Sequence, residues 1–207
     1  MDKKDYLKDI SEIKDIMNKS TRFMSLSGIS GILAGVYALI GGFVAYQLLL
    51  DYGRSMYGSN VLPLSILELI LIGIAIVVAC LSILTAYQFT KRKAKKNNEK
   101  IWTPASKQLM SSFIVPMFIG GIFTLLLIYR GYYGLIAPIT LIFYGLALIN
   151  ASKYTLSLVK YLGLFEVVLG LLAMLFFGNG LLFWILGFGV LHILYGTLIY
   201  FKFDKAS

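Results

Sequence analysis

Six long apolar runs, at 23–50, 61–90, 110–128, 132–150, 155–177 and 180–201, occupy most of the 207-residue chain, and almost all the charges fall in the gaps between them. Each run is near or above the ~20 residues of helix that cross a ~30 Å hydrocarbon core. Glycine and tyrosine inside such runs are normal for membrane helices. The pattern predicts an all-α, polytopic membrane protein with six transmembrane helices. It divides into a cytoplasmic amphipathic segment (1–22), a six-helix domain (23–203) and a short tail (204–207).

The gaps set the order of the spans. The connections at 129–134 and 177–180 are so short that spans three and four, and spans five and six, are expected as antiparallel hairpins. The first connection, 51–60, is longer and polar, and three hairpins in series is the simplest plan. A short repeat points the same way. Ile142-Phe143-Tyr144-Gly145 recurs as Ile193-Leu194-Tyr195-Gly196, with Gly120 and Gly170 at comparable distances upstream, as duplication of a hairpin would give.

Ahead of the first span, Tyr6, Ile10, Ile13, Met17 and Met24 follow a helical spacing, with Lys and Asp between them. The segment 5–22 therefore reads as an amphipathic helix. It either lies on the membrane surface or docks a cytoplasmic protein or a second copy of the chain. Its acidic residues weaken pure attraction to anionic lipid, so membrane lipids and a protein partner both stay open.

Composition agrees with a bilayer environment: 58% hydrophobic and 14% charged residues, with a mean hydropathy of +0.81. The formal charge of +9 would suit nucleic acid, but its distribution does not. All Lys and Arg except Arg54 and Arg130 lie before span one, in 91–107, in or just after the fourth connection (Lys153 and Lys160) or after span six. By the positive-inside rule this places both termini in the cytoplasm of a bacterial inner membrane, with no nucleic-acid partner. The run Lys91-Arg92-Lys93-Ala94-Lys95-Lys96 reads first as a flank holding this orientation, and second as an anionic-lipid site. The first span is too long, and begins too late, for a cleavable signal, so it is expected to stay as an anchor. Cys80 is the sole cysteine and reads as a packing residue.

Three titratable side chains fall well inside the spans: Glu68, Glu166 and His192. Each costs at least ~2.5 kcal/mol at mid-bilayer unless paired or hydrated, which makes it a candidate site. Glu166 lies 12 residues before the turn Gly178-Asn179 and His192 lies 13 after it, so both sit at matching depth. Glu166 is flanked by Gly163 and Gly170, and His192 by Gly189 and Gly196, at i−3 and i+4. Glycine there admits a close helix or water. The two groups are expected to meet, either as an interhelical bond or as a proton relay. Glu68, on a face continued by Ala75, Ala79, Ser82 and Ala86, is expected to face protein near the outer end. A small-residue stripe in span one, Ser27, Gly31, Gly35, Ala38 and Gly42, predicts a tight helix crossing, internal or between subunits.

No enzyme signature stands out. Gly28-Ile29-Ser30-Gly31 superficially resembles the serine motif of rhomboid intramembrane proteases, but Ser30 begins span one while His192 is five spans away. One His and separated Glu residues do not make a metal site, and no cofactor is expected.

The stretch Ser20-Thr21-Arg22-Phe23-Met24-Ser25-Leu26-Ser27-Gly28-Ile29-Ser30-Gly31-Ile32-Leu33-Ala34-Gly35 resembles the opening of uncharacterised six-span inner-membrane proteins from Bacteroidota-type bacteria. That resemblance implies the architecture and no activity. The plan is also similar, in architecture alone, to the acid-resistance six-span membrane proteins. The absence of chemistry motifs favours a non-enzymatic regulatory, stress-response or assembly role, with a small channel or proton-linked transporter using the intramembrane Glu and His groups as the alternative.

Overall fold

A computed structural model describes residues 23, 25–55, 63–98 and 100–205; the amphipathic segment expected at 5–22 and the loop residues 56–62 lie outside the described residues. Every regular element among the described residues is helical: α1 (Gly28–Ser55), α2 (Leu64–Lys96), α3 (Pro104–Tyr129), α4 (Ile136–Ala151), α5 (Leu158–Leu175) and a last rod. That rod joins α6 (Gly180–Trp184), a π-helical stretch (Ile185–Leu191), α7 (His192–Ile199) and a π-helical end (Tyr200–Asp204). Among the described residues, six helices are long and apolar enough to cross a membrane.

Local chemistry sets the ends. Thr103 caps α3: its hydroxyl accepts from the Ser106 N–H at 3.1 Å, and Ser106 Oγ accepts from the Thr103 N–H at 2.8 Å. Pro104 follows at the first helical position, where its missing N–H costs nothing. At the opposite end, the turns after α3 and α5 use Gly131 (φ +76) and Gly178 (φ +96), a backbone region that a side chain disfavours.

Glycine decides which helices approach most closely. In the α4–α5 crossing, a Cβ on Gly145 would lie 2.6 Å from the Gly163 carbonyl oxygen, and a Cβ on Gly163 would lie 2.6 Å from that of Gly145. In the crossing of α1 with the last rod, Gly31 faces Gly196, and a Cβ on Gly35 would lie 2.6 Å from the Gly189 carbonyl oxygen. With lipid as apolar as leucine, such backbone proximity, through dispersion, is what draws membrane helices together. The α1 stripe thus serves internal packing. These two crossings are more extensive than the contact between α5 and the last rod, although a short turn joins that pair.

Two expectations change here. Ser27 precedes α1 and is not part of its helical stripe; its hydroxyl faces Asp204 at 3.4 Å. The first run does not begin as helix at Phe23, which docks on the connection between α4 and α5: the Phe23 N–H donates to the Tyr154 carbonyl and Thr155 Oγ1 donates to the Phe23 carbonyl, both at 2.8 Å. The repeated motifs also occupy unlike surroundings. Gly120 packs on Phe143, and Gly170 packs on Pro138 and Ile142, so both meet α4, whereas an equivalent hairpin would direct Gly170 to the last rod.

Helix α2 packs on α1, where Val78 and Ile74 lie over Gly41. Its remaining surface exposes Leu69, Ile76, Val77, Ile83 and Leu84, and α3 similarly exposes Phe118, Ile119 and Leu125. Such a belt is what hydrocarbon accepts and water does not.

Candidate functional site: a buried Glu–His–Tyr centre

Three elements each bring one polar side chain to the interior: Tyr144 from α4, Glu166 from α5 and His192 from the first residue of α7. Glu166 is 0% exposed and His192 7%. His192 uses both ring nitrogens. Nδ1 lies 3.0 Å from the Gly187 carbonyl oxygen and Nε2 lies 2.7 Å from the Tyr144 hydroxyl. A carbonyl only accepts, so Nδ1 carries a hydrogen, and in the neutral ring Nε2 accepts from Tyr144. The π-helical stretch ends at this histidine, and such wide turns recur at functional positions.

Glu166 approaches the same nitrogen: its Oε1 is 3.4 Å from His192 Nδ1. Neither carboxylate oxygen has a hydrogen-bond partner within the protein, and Leu141, also fully buried, flanks the same pocket of space. An ionised carboxylate so placed costs several kcal/mol unless a cation compensates it. Two states avoid that cost: a neutral acid beside a neutral ring, or a carboxylate beside an imidazolium. The two states differ in where one proton sits, on the Glu166 carboxyl in the first and on Nε2 in the second, where the ring then donates to the Tyr144 hydroxyl; Nδ1 carries its hydrogen in both.

Packing explains why the carboxylate fits. A Cβ on Gly187 would collide with Glu166 Oε2 and lie 2.5 Å from Leu141 Cδ2, so glycine opens the space the acid fills. The glycines beside the two groups point elsewhere. Gly163 and Gly170 face α4, and Gly189 and Gly196 face α1. The sequence places Glu166 and His192 at one depth, and the structure brings them together, but through Gly187 and not through their own flanking glycines.

An aromatic stack closes one side. Trp184, Phe188 and His192 climb the last rod at four-residue steps, with ring centroids 4.9 Å apart for Trp184–Phe188 and 6.0 Å for Phe188–His192. Tyr144 lies 5.0 Å from Phe188, and Phe113 of α3 meets Tyr144 edge-on at 5.9 Å.

No protein-family model, curated protein or solved structure matches this chain. The chemistry of the centre therefore rests on its own side chains.

The other sequence candidates lie apart. Glu68 is half-buried near the opposite end of α2, with its Oε1 shielded and unbonded and the Tyr133 hydroxyl as its neighbour. The face expected to continue from it is covered only in part, since Ala75 and Ala79 are exposed while Ser82 and Ala86 are half-buried; Ile74 and Val78 pack on α1. Ser30 Oγ donates to the Ser27 carbonyl at 2.7 Å, away from His192's partners. Cys80 is exposed on α2, not packed. No group of three or more His, Cys, Asp or Glu side chains among the described residues could hold a metal.

A second polar cluster at the basic end escaped sequence reasoning. Asp204 accepts from the Gly28 N–H at 2.8 Å and pairs with Lys93 Nζ at 2.6 Å, while Lys93 also donates to the Leu26 carbonyl at 2.9 Å. One carboxylate thereby caps α1 and ties it to α2 and the last rod, with both partners largely buried. In the sequence Lys93 reads as one more flanking cation, and Asp204 as the start of the tail. For Tyr144 a signal existed, in the Tyr-Gly repeat; for Gly187, none did.

Proposed function

We propose that this chain is a non-enzymatic integral protein of the bacterial inner membrane, with both termini cytoplasmic and its spans arranged as three antiparallel hairpins. Its bundle supports a regulatory, stress-response or assembly role, in which residues 5–22 contact lipid, a cytoplasmic protein or a second copy. The observation that carries this reading is the engagement of His192. Both ring nitrogens are bonded in a packed interior, Nδ1 within its own rod and Nε2 to Tyr144 of α4, which suits a group that fixes helices in place. The exposed apolar belt on α2 and α3 supports the membrane setting.

A second reading, proton-linked transport, draws on one feature: the Glu166 carboxylate has no hydrogen-bond partner within the protein although it is fully buried. Purified protein in liposomes, challenged with a proton gradient and a panel of ions, separates the two. Flux no greater than in empty liposomes is the expected outcome. Flux that disappears in Glu166→Gln while the variant inserts normally favours transport and overturns the structural reading.

A further inference from the structure

At the basic end, the start of α1, the end of α2 and the end of the last rod enclose an open cleft of about 230 Å³. Its lining changes character across a short distance. Ile29 and Phe89 supply apolar walls, and Arg92, Lys93 and Lys96 supply cations, with Asp204 at the base.

The charge of the cleft follows from bonds already described. Lys93 and Asp204 neutralise each other, and both Asp204 oxygens are occupied, Oδ1 by Lys93 and Oδ2 by the Gly28 N–H. Lys93 matches the single charge of Asp204, so no acid in the cleft lining offsets Arg92 and Lys96, which are exposed. Arg92 is also oriented, its guanidinium carbon lying 5.6 Å from the centre of the Phe89 ring. The unspent field is positive and faces outward.

We infer that this cleft binds the phosphodiester headgroup of an anionic phospholipid, with Arg92 and Lys96 meeting the phosphate oxygens and the acyl chains descending past Ile29 and Phe89. The inference rests on the membrane reading above. Three observations favour a lipid over a free anion. The cations stand directly beside apolar wall, as a molecule with a charged head and hydrocarbon tail requires. The volume is below the ~300–1,000 Å³ of pockets that enclose a soluble ligand. The cleft is open, which suits a head held at its base while the tail stays outside. The Lys93–Asp204 bond beneath it joins α1, α2 and the last rod, so a bound headgroup would brace the same three elements.

Native mass spectrometry of the full chain, released from detergent with phosphatidylglycerol or phosphatidylcholine, reads the site directly. Wild type is expected to retain phosphatidylglycerol in preference to phosphatidylcholine. Arg92→Gln/Lys96→Gln is expected to weaken that retention roughly 10- to 30-fold, at about 1 kcal/mol per surface cation. Lys91→Gln/Lys95→Gln removes the same charge from the same helix outside the cleft and is expected to retain the lipid. Equal retention of the two lipids, or equal loss in both double variants, overturns the assignment. Binding of sn-glycerol 3-phosphate as strong as that of the lipid reassigns the cleft to a soluble anion and overturns it too. Resistance of the protein to carbonate extraction, measured alongside, keeps failure of this site distinct from failure of the membrane reading.

Discussion

Glu166→Gln and His192→Gln are each expected to destabilise the bundle by about 1–3 kcal/mol, and the double variant by clearly less than their sum. The reason is geometric. Oε1 and Nδ1 are 3.4 Å apart and both side chains are buried, so removing either partner leaves the other buried with its charge states uncompensated. His192→Gln is the costlier change, because it also strips Tyr144 and Gly187 of their partner. Denaturation of the four proteins in mixed micelles gives the coupling. Additivity to within about 0.5 kcal/mol would mean that the two groups are neighbours without being partners.

Adding one methyl group at the α4–α5 crossing should do comparable damage. In Gly145→Ala and Gly163→Ala the new Cβ meets a carbonyl oxygen at 2.6 Å, and that oxygen belongs to backbone, which cannot rotate away. Each change is expected to cost about 1–3 kcal/mol, towards the upper end. Gly73→Ala and Gly121→Ala are the controls, since nothing lies within 4 Å of either added Cβ. There the helix propensity of alanine should leave stability unchanged or raise it by up to ~1 kcal/mol. The same micelle denaturation reads all four, and equal tolerance at the crossing and the controls would show that α4 and α5 are not in backbone contact.

Hydropathy carried the fold class in the sequence because a bilayer-sized apolar run needs no long-range information. Six runs became six helices, with their ends displaced: α1 starts at Gly28, not at 23, and α2 continues to Lys96, past its apolar run. Ends depend on capping contacts such as that between Asp204 and the Gly28 N–H, made by residues at opposite ends of the chain. Residue counting from a turn brought Glu166 and His192 to one depth, since helix rise is regular. It could not supply azimuth. Which glycine faces which helix is set by packing, so the stripe on α1 was legible as a crossing while its partner, the last rod, was not. Tyr144 and Gly187 became part of the centre through azimuth as well. The π-helical stretch before His192 shifts the angular register of the rod, and no spacing rule for an α-helix anticipates it.

Side-specific labelling tests the proposed bundle of six membrane-crossing helices with its basic end in the cytoplasm. In a Cys80→Ser background, single cysteines at Asn179, Lys100 and Lys205 occupy exposed positions, the first in the turn before the last rod and the others at the basic end. A membrane-impermeant maleimide applied to intact bacterial cells, with outer layers permeabilised where present, is predicted to label Asn179→Cys, and to reach Lys100→Cys and Lys205→Cys only after the inner membrane is broken. Labelling of Lys205→Cys in intact cells, or of all three positions alike, would contradict it.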